Sequence, residues 1–258
     1  MSFKTILTTK ENQMGTISLN RPKQFNTFST KMAKELNEAL LQMEQDEAIR
    51  VVIIRGEGKA FSTGIDVSEF EGKTPSEYHV WIKLMGEMHL TIASMGKPVI
   101  ASIHGFAVAN GAGLLAAADF ALASEETKIG TSAINVGLLC SGPIAPLSYF
   151  LPKKKALEML LCGDMIDAKE AERLGILNKV VPPEKLKEET EAFARKVIDK
   201  SPAAVRIGKK FYYEMMDMSF RQKLALADEV LTRLCTTEDA REGVSAFLEK
   251  RKPEWKGR

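Results

Sequence analysis

The sequence predicts an α/β fold whose C-terminal quarter is all helical, and three observations carry that reading. Short β-branched runs alternate with segments of helical periodicity through residue 183, the pattern of strands paired in parallel through helical crossovers. Strand signals stop at Pro182-Pro183, beyond which residues 184–258 are charged and amphipathic. The chain has 258 residues, 45% of them hydrophobic and 27% charged. That is enough to bury a sizeable core without disulfides, and too ordinary for a disordered chain. The division is therefore 1–183 as core and 184–258 as a helical region.

Taken in order, Thr16–Asn20 reads as a strand closed by Arg21-Pro22. Ser29 caps a helix running to Asp46, with Met32, Leu36, Ala39, Leu40 and Met43 at helical spacing. Val51–Ile54 is a β-branched run closed by Gly56, which fits a strand buried on both faces. Val99–Ile103 and Phe120–Ala123 read the same way. Pro75–Ser94 is helical in pattern, and Ala112–Ala118 is a second helix of very small residues. The tail gives helices over Glu184–Lys200, Pro202–Met216, Ser219–Cys235 and from Thr237 to Lys252. Such helices, having no core of their own, bury their apolar stripe on a neighbour or another subunit.

Charge and cysteine usage exclude several classes. The 36 Lys+Arg against 34 Asp+Glu leave a net charge of +2, which makes no electrostatic case for nucleic acid or an anionic membrane as partner. No apolar run approaches the ~20 residues of a bilayer span; the most apolar stretch, Ile92–Ala123, is broken by Lys97, Pro98, His104 and Asn110. The first residues, MSFKTILTTKEN, lack a hydrophobic segment and cleavage site, so no secretory signal is expected. Cys140, Cys162 and Cys235 are odd in number and without a CxxC pair, which fits a reducing compartment and no structural metal. A cytoplasmic location is the expectation.

Two loops carry chemistry. In Gly58–Val67, after the Val51–Ile54 strand, Gly64 lets the backbone turn tightly and leaves the Ile65 N–H free to face a cleft. Asp66 fixes that turn by accepting nearby backbone donors. In His104–Gly113 a Gly-rich turn enters the small-residue helix, where unsatisfied N–H groups and a positive dipole stabilise a developing oxyanion. The spacing is not GxGxxG and no Walker lysine follows, so a phosphate cradle is a weak reading. Taken alone, each loop is equally a plain strand-to-helix connection.

Together, Lys59–Asp66, Lys97–Gly105 and Asn110–Asp119 resemble the enoyl-CoA hydratase/isomerase (crotonase) family. The likeness continues in order through Ala156–Gly163, Ala168–Gly175, Val180–Pro182, Thr237–Gly243 and Phe247–Pro253. It implies a crotonase-like spiral of ββα units followed by helices that build homotrimers, often paired into hexamers. The ligand it implies is an acyl-coenzyme A thioester, with no permanently bound cofactor. Carried over, Ile65 and Asn110 supply the two backbone N–H groups that hold the thioester carbonyl. Lys59 falls near the coenzyme phosphates, and Ser62, Gly64, Ile65, Asp66 and Val67 line the adenine pocket through the backbone. Phe247 and Lys250 match positions that contact the adenine and the 3′-phosphate. A second lysine that some relatives carry two residues after the aspartate is Ser68 here.

The chain departs from the family pattern where hydratases carry two glutamates as acid and base. Those positions are Gly113 and Ala133, so both carboxylates are missing and classical hydration is expected to be weak or absent. The loop Gly137–Pro143 replaces the usual Gly-rich loop; Ser141 stands where dehalogenase-like relatives place a nucleophilic aspartate, and Cys140 precedes it. His104 reads as structural. Tyr78, His79, Glu87 and His89 lie on the helical segment flanking the acyl pocket, where any one is a candidate acid or base, with a solvated or core role for each as the favoured alternative. Asn135 binds either a ligand or its own turn.

Leu139–Pro143, Leu151–Met159 and Arg251–Trp255 resemble the enoyl-CoA hydratase domain-containing branch, which departs at the same glutamates. Three functions follow: a crotonase-type enzyme working through an enolate or oxyanion, a non-catalytic acyl-CoA-binding or regulatory protein, and a thioester hydrolase using Cys140 and Ser141.

Overall fold

The structure, a computed structural model, describes residues 3–258. A six-stranded sheet runs in the order β1 (Ile6–Glu11), β2 (Met14–Leu19), β3 (Val51–Gly56), β4 (Val99–Ile103), β6 (Phe120–Ser124), β9 (Lys179–Val181). Only the β1–β2 pair is antiparallel. A second sheet holds β5 (Phe106–Val108), β7 (Lys128–Gly130) and β8 (Met165–Asp167). The strand at Thr16–Asn20, the buried runs at Val51, Val99 and Phe120, and their parallel pairing are all present. β1 has one buried residue out of six. An edge strand with no apolar alternation gives no sequence signal.

The helices follow their caps. Ser29 accepts from the Met32 N–H and starts α1 (Thr30–Gln45), which buries the predicted stripe against the sheet. Each Met or Leu so buried stabilises by roughly 1.5–3 kcal/mol. Thr74 and Glu77 form a reciprocal capping box at the start of α2 (Pro75–Ser94). The small-residue helix α3 (Asn110–Ala117) begins two residues earlier than its apolar pattern suggests, and every residue in it is buried. Past it come α4 (Ser141–Leu147), α5 (Lys153–Cys162) and α6 (Ala168–Arg173). Among the described residues no helix is long and apolar enough to cross a membrane.

The C-terminal helices do not all behave alike. α7 (Leu186–Ile198) lies on the sheet, where Leu186 and Ala194 join Val51, Ile53, Ile100 and Leu122 in a second core cluster. A boundary at 183/184 thus falls ahead of a helix that belongs to the packing of the core. α8 (Pro202–Met215), α9 (Phe220–Cys235) and α10 (Glu238–Leu248) pack on one another beyond it. α10 stops four residues short of Lys252, because Lys250 takes a left-handed conformation with φ of 55°. The tie back to the core is a buried pair: Lys209 Nζ donates to Asp119 Oδ2 at 2.6 Å, and Tyr213 OH to Asp119 Oδ1 at 3.1 Å.

Candidate active site

β3 and β4 are parallel neighbours, so the loops that follow them leave the sheet at the same edge. The first loop is held from both sides by bridges Phe28↔Ile65 and Ser62↔Ala107. Phe28 N–H donates to Gly64 O at 2.7 Å and Asp66 N–H donates to Phe28 O at 2.9 Å. The Ile65 N–H between them has no protein acceptor among the described residues. Asp66 caps the turn as expected, accepting from Ser68 N–H and Oγ. A further partner was not legible in the sequence: Arg21 Nη2 donates to Asp66 Oδ2 at 2.6 Å, while Arg21 Nη1 holds Thr27 O. Burial alone would raise the Asp66 carboxyl, but the hydrogen bonds from Ser68 and Arg21 outweigh it and hold it below the ordinary carboxylate range.

The second loop enters α3 through Ala109, at φ 50° and ψ −118°. That is a region L-residues occupy at a cost of ~1–3 kcal/mol, and such strain clusters at functional sites. Ala109 N–H is paired to Gly130 O and Gly113 N–H to Ala109 O, while Asn110 N–H, the first of the helix, has no protein acceptor among the described residues. The Asn110 side chain instead faces α2, donating to Met85 O at 2.8 Å.

The two loops meet at Gly64. Its φ is +110°, and a Cβ there would lie 2.8 Å from Ala109 Cβ and 3.8 Å from Asn110 N. A Cβ on Gly111 would lie 2.3 Å from Ser62 O. The Gly64–Ile65 turn is thus set against the Ala109–Asn110 entry to α3 by backbones too close for side chains.

At Gly113 the space a side chain would enter is taken by another group. At Gly113 a Cβ would lie 2.9 Å from His89 Nε2, 3.2 Å from His89 Cε1 and 3.0 Å from Pro143 Cα. His89 Nε2 is buried and has no hydrogen-bond partner among the described residues. Burial pushes its pKa down to about 4, with no charged neighbour contributing. In the sequence His89 is one of four candidate acids or bases on the flanking helix, with nothing to single it out. Its spacing from Met85, Met88 and Ile92, which are all buried, signals burial alone. At Ala133, in a short 3₁₀ turn, the backbone N–H faces the Cys140 thiol. Burial pushes that thiol up, the Ala133 contact only partly offsetting it, which works against a thiolate nucleophile. Ser141 is exposed at the start of α4, with no side-chain hydrogen bond to a base among the described residues.

The remaining candidates divide. Ser62 is fully buried with its Oγ donating to Asn26 O, so it is scaffold. Lys59 and Val67 are exposed on the loop's rim. Phe247 is 82% exposed, so within one chain it packs on almost nothing, and Lys250 is exposed on the turn that ends α10. Glu69 is committed to the start of α1, accepting from Thr30 N–H and Oγ1. Tyr78 donates to Phe70 O, and His104 Nε2 lies 2.9 Å from Gly58 O in a structural contact. Asn135 packs over the Gly163 turn. His79, Glu71 and Glu87 are exposed.

The family model described as enoyl-CoA hydratase/isomerase matches residues 9–258. The enoyl-CoA hydratase domain-containing protein 3, mitochondrial, of Homo sapiens is 37% identical over 93% of this chain and 79% of its own. A probable enoyl-CoA hydratase of Rhizobium meliloti is 34% identical over 100% of both. Among solved structures, an enoyl-CoA hydratase of Mycobacterium smegmatis superposes with TM-score 0.95 at 37% identity, covering 98% of this chain and 99% of that one. The human domain-containing protein 3 gives 0.94 at 35% identity, with 98% and 100% covered. The fold is therefore the crotonase-like α/β spiral with C-terminal helices. The cytoplasmic expectation is overturned: the similar proteins of Rattus norvegicus, Mus musculus, Xenopus laevis and Homo sapiens are named mitochondrial. Unpaired cysteines report a reducing environment and cannot say which compartment supplies it.

Proposed function

The chain belongs to the enoyl-CoA hydratase/isomerase family, and from that premise we propose that it binds an acyl-coenzyme A thioester, its carbonyl held by the N–H groups of Ile65 and Asn110. The observation that supports this is the contact of the two loops at Gly64, next to the Ile65 and Asn110 N–H groups, neither of which has a protein acceptor among the described residues. Such donors count most when the α-carbon becomes enolate-like and charge moves to the oxygen, and each is worth ~10²–10³ in rate. Lys59 on the rim takes the phosphate end, with Ser62–Val67 beside the adenine. Phe247 and Lys250 complete it in a trimer or hexamer. The exposure of Leu224, Leu231, Val244, Phe247 and Leu248 on α9 and α10 supports such an assembly.

The absence of carboxylates at Gly113 and Ala133 favours a second reading, a non-catalytic acyl-CoA-binding protein. Calorimetry with butyryl-CoA against free coenzyme A tests the shared core of both. Thioester binding in the millimolar to micromolar range, weakened with salt dependence by Lys59→Ala and Lys250→Ala, is expected. Bound enoyl thioesters should show a red-shifted absorbance, with crotonyl-CoA hydrated at least ~10³-fold more slowly than by an ordinary hydratase. No thioester binding at millimolar concentration would overturn the proposal.

A further inference from the structure

We propose that His89 Nε2 is the proton carrier of this site, taking a hydrogen from Cα of the bound thioester and returning it. The inference rests on the proposed thioester reading and adds to it the group that moves the proton.

The geometry begins on α2. Met85 and His89 are one helical turn apart on the face turned to α3, and each meets a residue there. Met85 O accepts from the Asn110 side chain, and the His89 ring lies over Gly113. The first contact belongs to the residue whose N–H begins α3, so the imidazole is fixed relative to that donor by two adjacent contacts between the same helices. His89 Nε2 is 2.9 Å from where a residue-113 Cβ would stand. A glutamate's carboxyl carbon stands two bonds from its own Cβ, about 2.5 Å away by standard bond lengths. The imidazole nitrogen thus reaches into the space that a carboxylate from position 113 would enter. A β-carbon at 113 would displace it, so glycine there and histidine at 89 fit as a pair.

The nitrogen is also unspent. Buried side-chain nitrogens are almost always hydrogen-bonded, and an unpaired one costs ~1–3 kcal/mol. Among the described residues no protein group satisfies Nε2. Facing it are α3, which has no ionisable side chain, and the start of α4, whose nearby ionisable group is the Cys140 thiol. On its own helix the residues one turn away are Met85, Gly86, Ile92 and Ala93. Burial among these keeps the ring neutral at pH 7, with a pKa of about 4. A neutral imidazole with its proton on Nδ1 offers the Nε2 lone pair as a proton acceptor.

The step balances within the site. The Cα–H bond breaks and an Nε2–H bond forms. The C–H electron pair moves into the Cα–C bond and the carbonyl pair onto the oxygen held by Ile65 and Asn110. The imidazolium and the enolate then neutralise each other when the proton returns. In D2O the imidazolium exchanges its proton before return, so deuterium enters Cα.

The test uses the intact protein with butyryl-CoA. The chain has three histidines, His79, His89 and His104, so ¹⁵N-histidine spectra resolve the His89 ring without mutation. Its Nε2 resonance should move on adding butyryl-CoA and stay put with free coenzyme A. In D2O the wild type should place deuterium at Cα. His89→Gln should bind butyryl-CoA within about threefold of wild type and lose exchange by ~10²-fold or more, the contribution of a general base. His89→Glu, which restores a base, should recover part of it. Bound butyryl-CoA with an unmoved His89 signal, or exchange undiminished in His89→Gln, overturns the inference and leaves the thioester reading standing. Failure of the wild type to bind butyryl-CoA removes both.

Discussion

Gly113→Ala is the sharpest perturbation of this site. The added Cβ would stand 2.9 Å from His89 Nε2, 3.2 Å from Cε1 and 3.0 Å from Pro143 Cα. The first two belong to a side chain that can swing, but the third is backbone at the start of α4 and yields only by moving that helix. Replacing a helical glycine by alanine would normally gain ~0.5–1 kcal/mol, whereas forcing a methyl into a packed interior costs ~1–3 kcal/mol. The balance is a net loss of about 1–2 kcal/mol. In a chain of this length that lowers Tm by roughly 2–8 °C, measured by calorimetry at fixed protein concentration. His89→Ala removes two of the three close contacts, so the double variant should recover at least about 1 kcal/mol of the Gly113→Ala loss, the scale of coupling between touching residues. Gly113→Ala as stable as wild type, or effects that add within ~0.5 kcal/mol, would refute the packing argument. By the same reasoning Gly113→Glu should restore hydration only with His89 made small, and best with Ala133→Glu as well.

Three further predictions follow from the same contacts. The folded state keeps His89 neutral down to about pH 4 against 6.5 for a free histidine, so stability is full above pH 6.5 and falls as the unfolded chain takes up the proton. At ~1.4 kcal/mol per pH unit about 3 kcal/mol disappears by pH 4. His89→Gln should flatten urea midpoints over that window, and an unchanged slope would show that another group titrates. Gly64→Ala meets both a φ of +110° and Ala109 Cβ at 2.8 Å. It should abolish the red shift of a bound enoyl thioester while leaving far-ultraviolet circular dichroism intact, and a normal red shift would separate Gly64 from the carbonyl site. Lys209→Met leaves Asp119 buried without its partner, since the two side chains are only 6% and 11% exposed. A loss of about 3–5 kcal/mol in urea unfolding is expected; a loss under 1 kcal/mol would mean that Tyr213 and the Val99 N–H suffice.

The sequence alone determined what local rules control. The Ser29 cap was legible because a cap is a contact between residues three apart, and Thr74, Ser201, Ser219 and Thr237 cap their helices by the same local rule in the structure. The β-branched runs at Val51 and Val99 declared buried parallel strands, and Gly64 with Asp66 declared a tight turn. The two missing carboxylates were legible as Gly113 and Ala133. What stands over Gly113 was not, because His89 reaches it from 24 residues away in the chain; nor was the pairing of Asp66 with Arg21, 45 residues away. A histidine on the buried side of a helix looks the same in sequence whether its nitrogen is satisfied or not. Only packing α2 against α3, with Asn110 hydrogen-bonded to Met85, decides that His89 Nε2 stands unpaired over Gly113. Likewise α7 carries the same amphipathic pattern as the helices after it, and only the sheet's uncovered face at Val51, Ile53 and Ile100 decides that it packs there. Periodicity names the apolar face of a helix, whereas the partner of that face is a long-range choice fixed by which surfaces the rest of the chain leaves open.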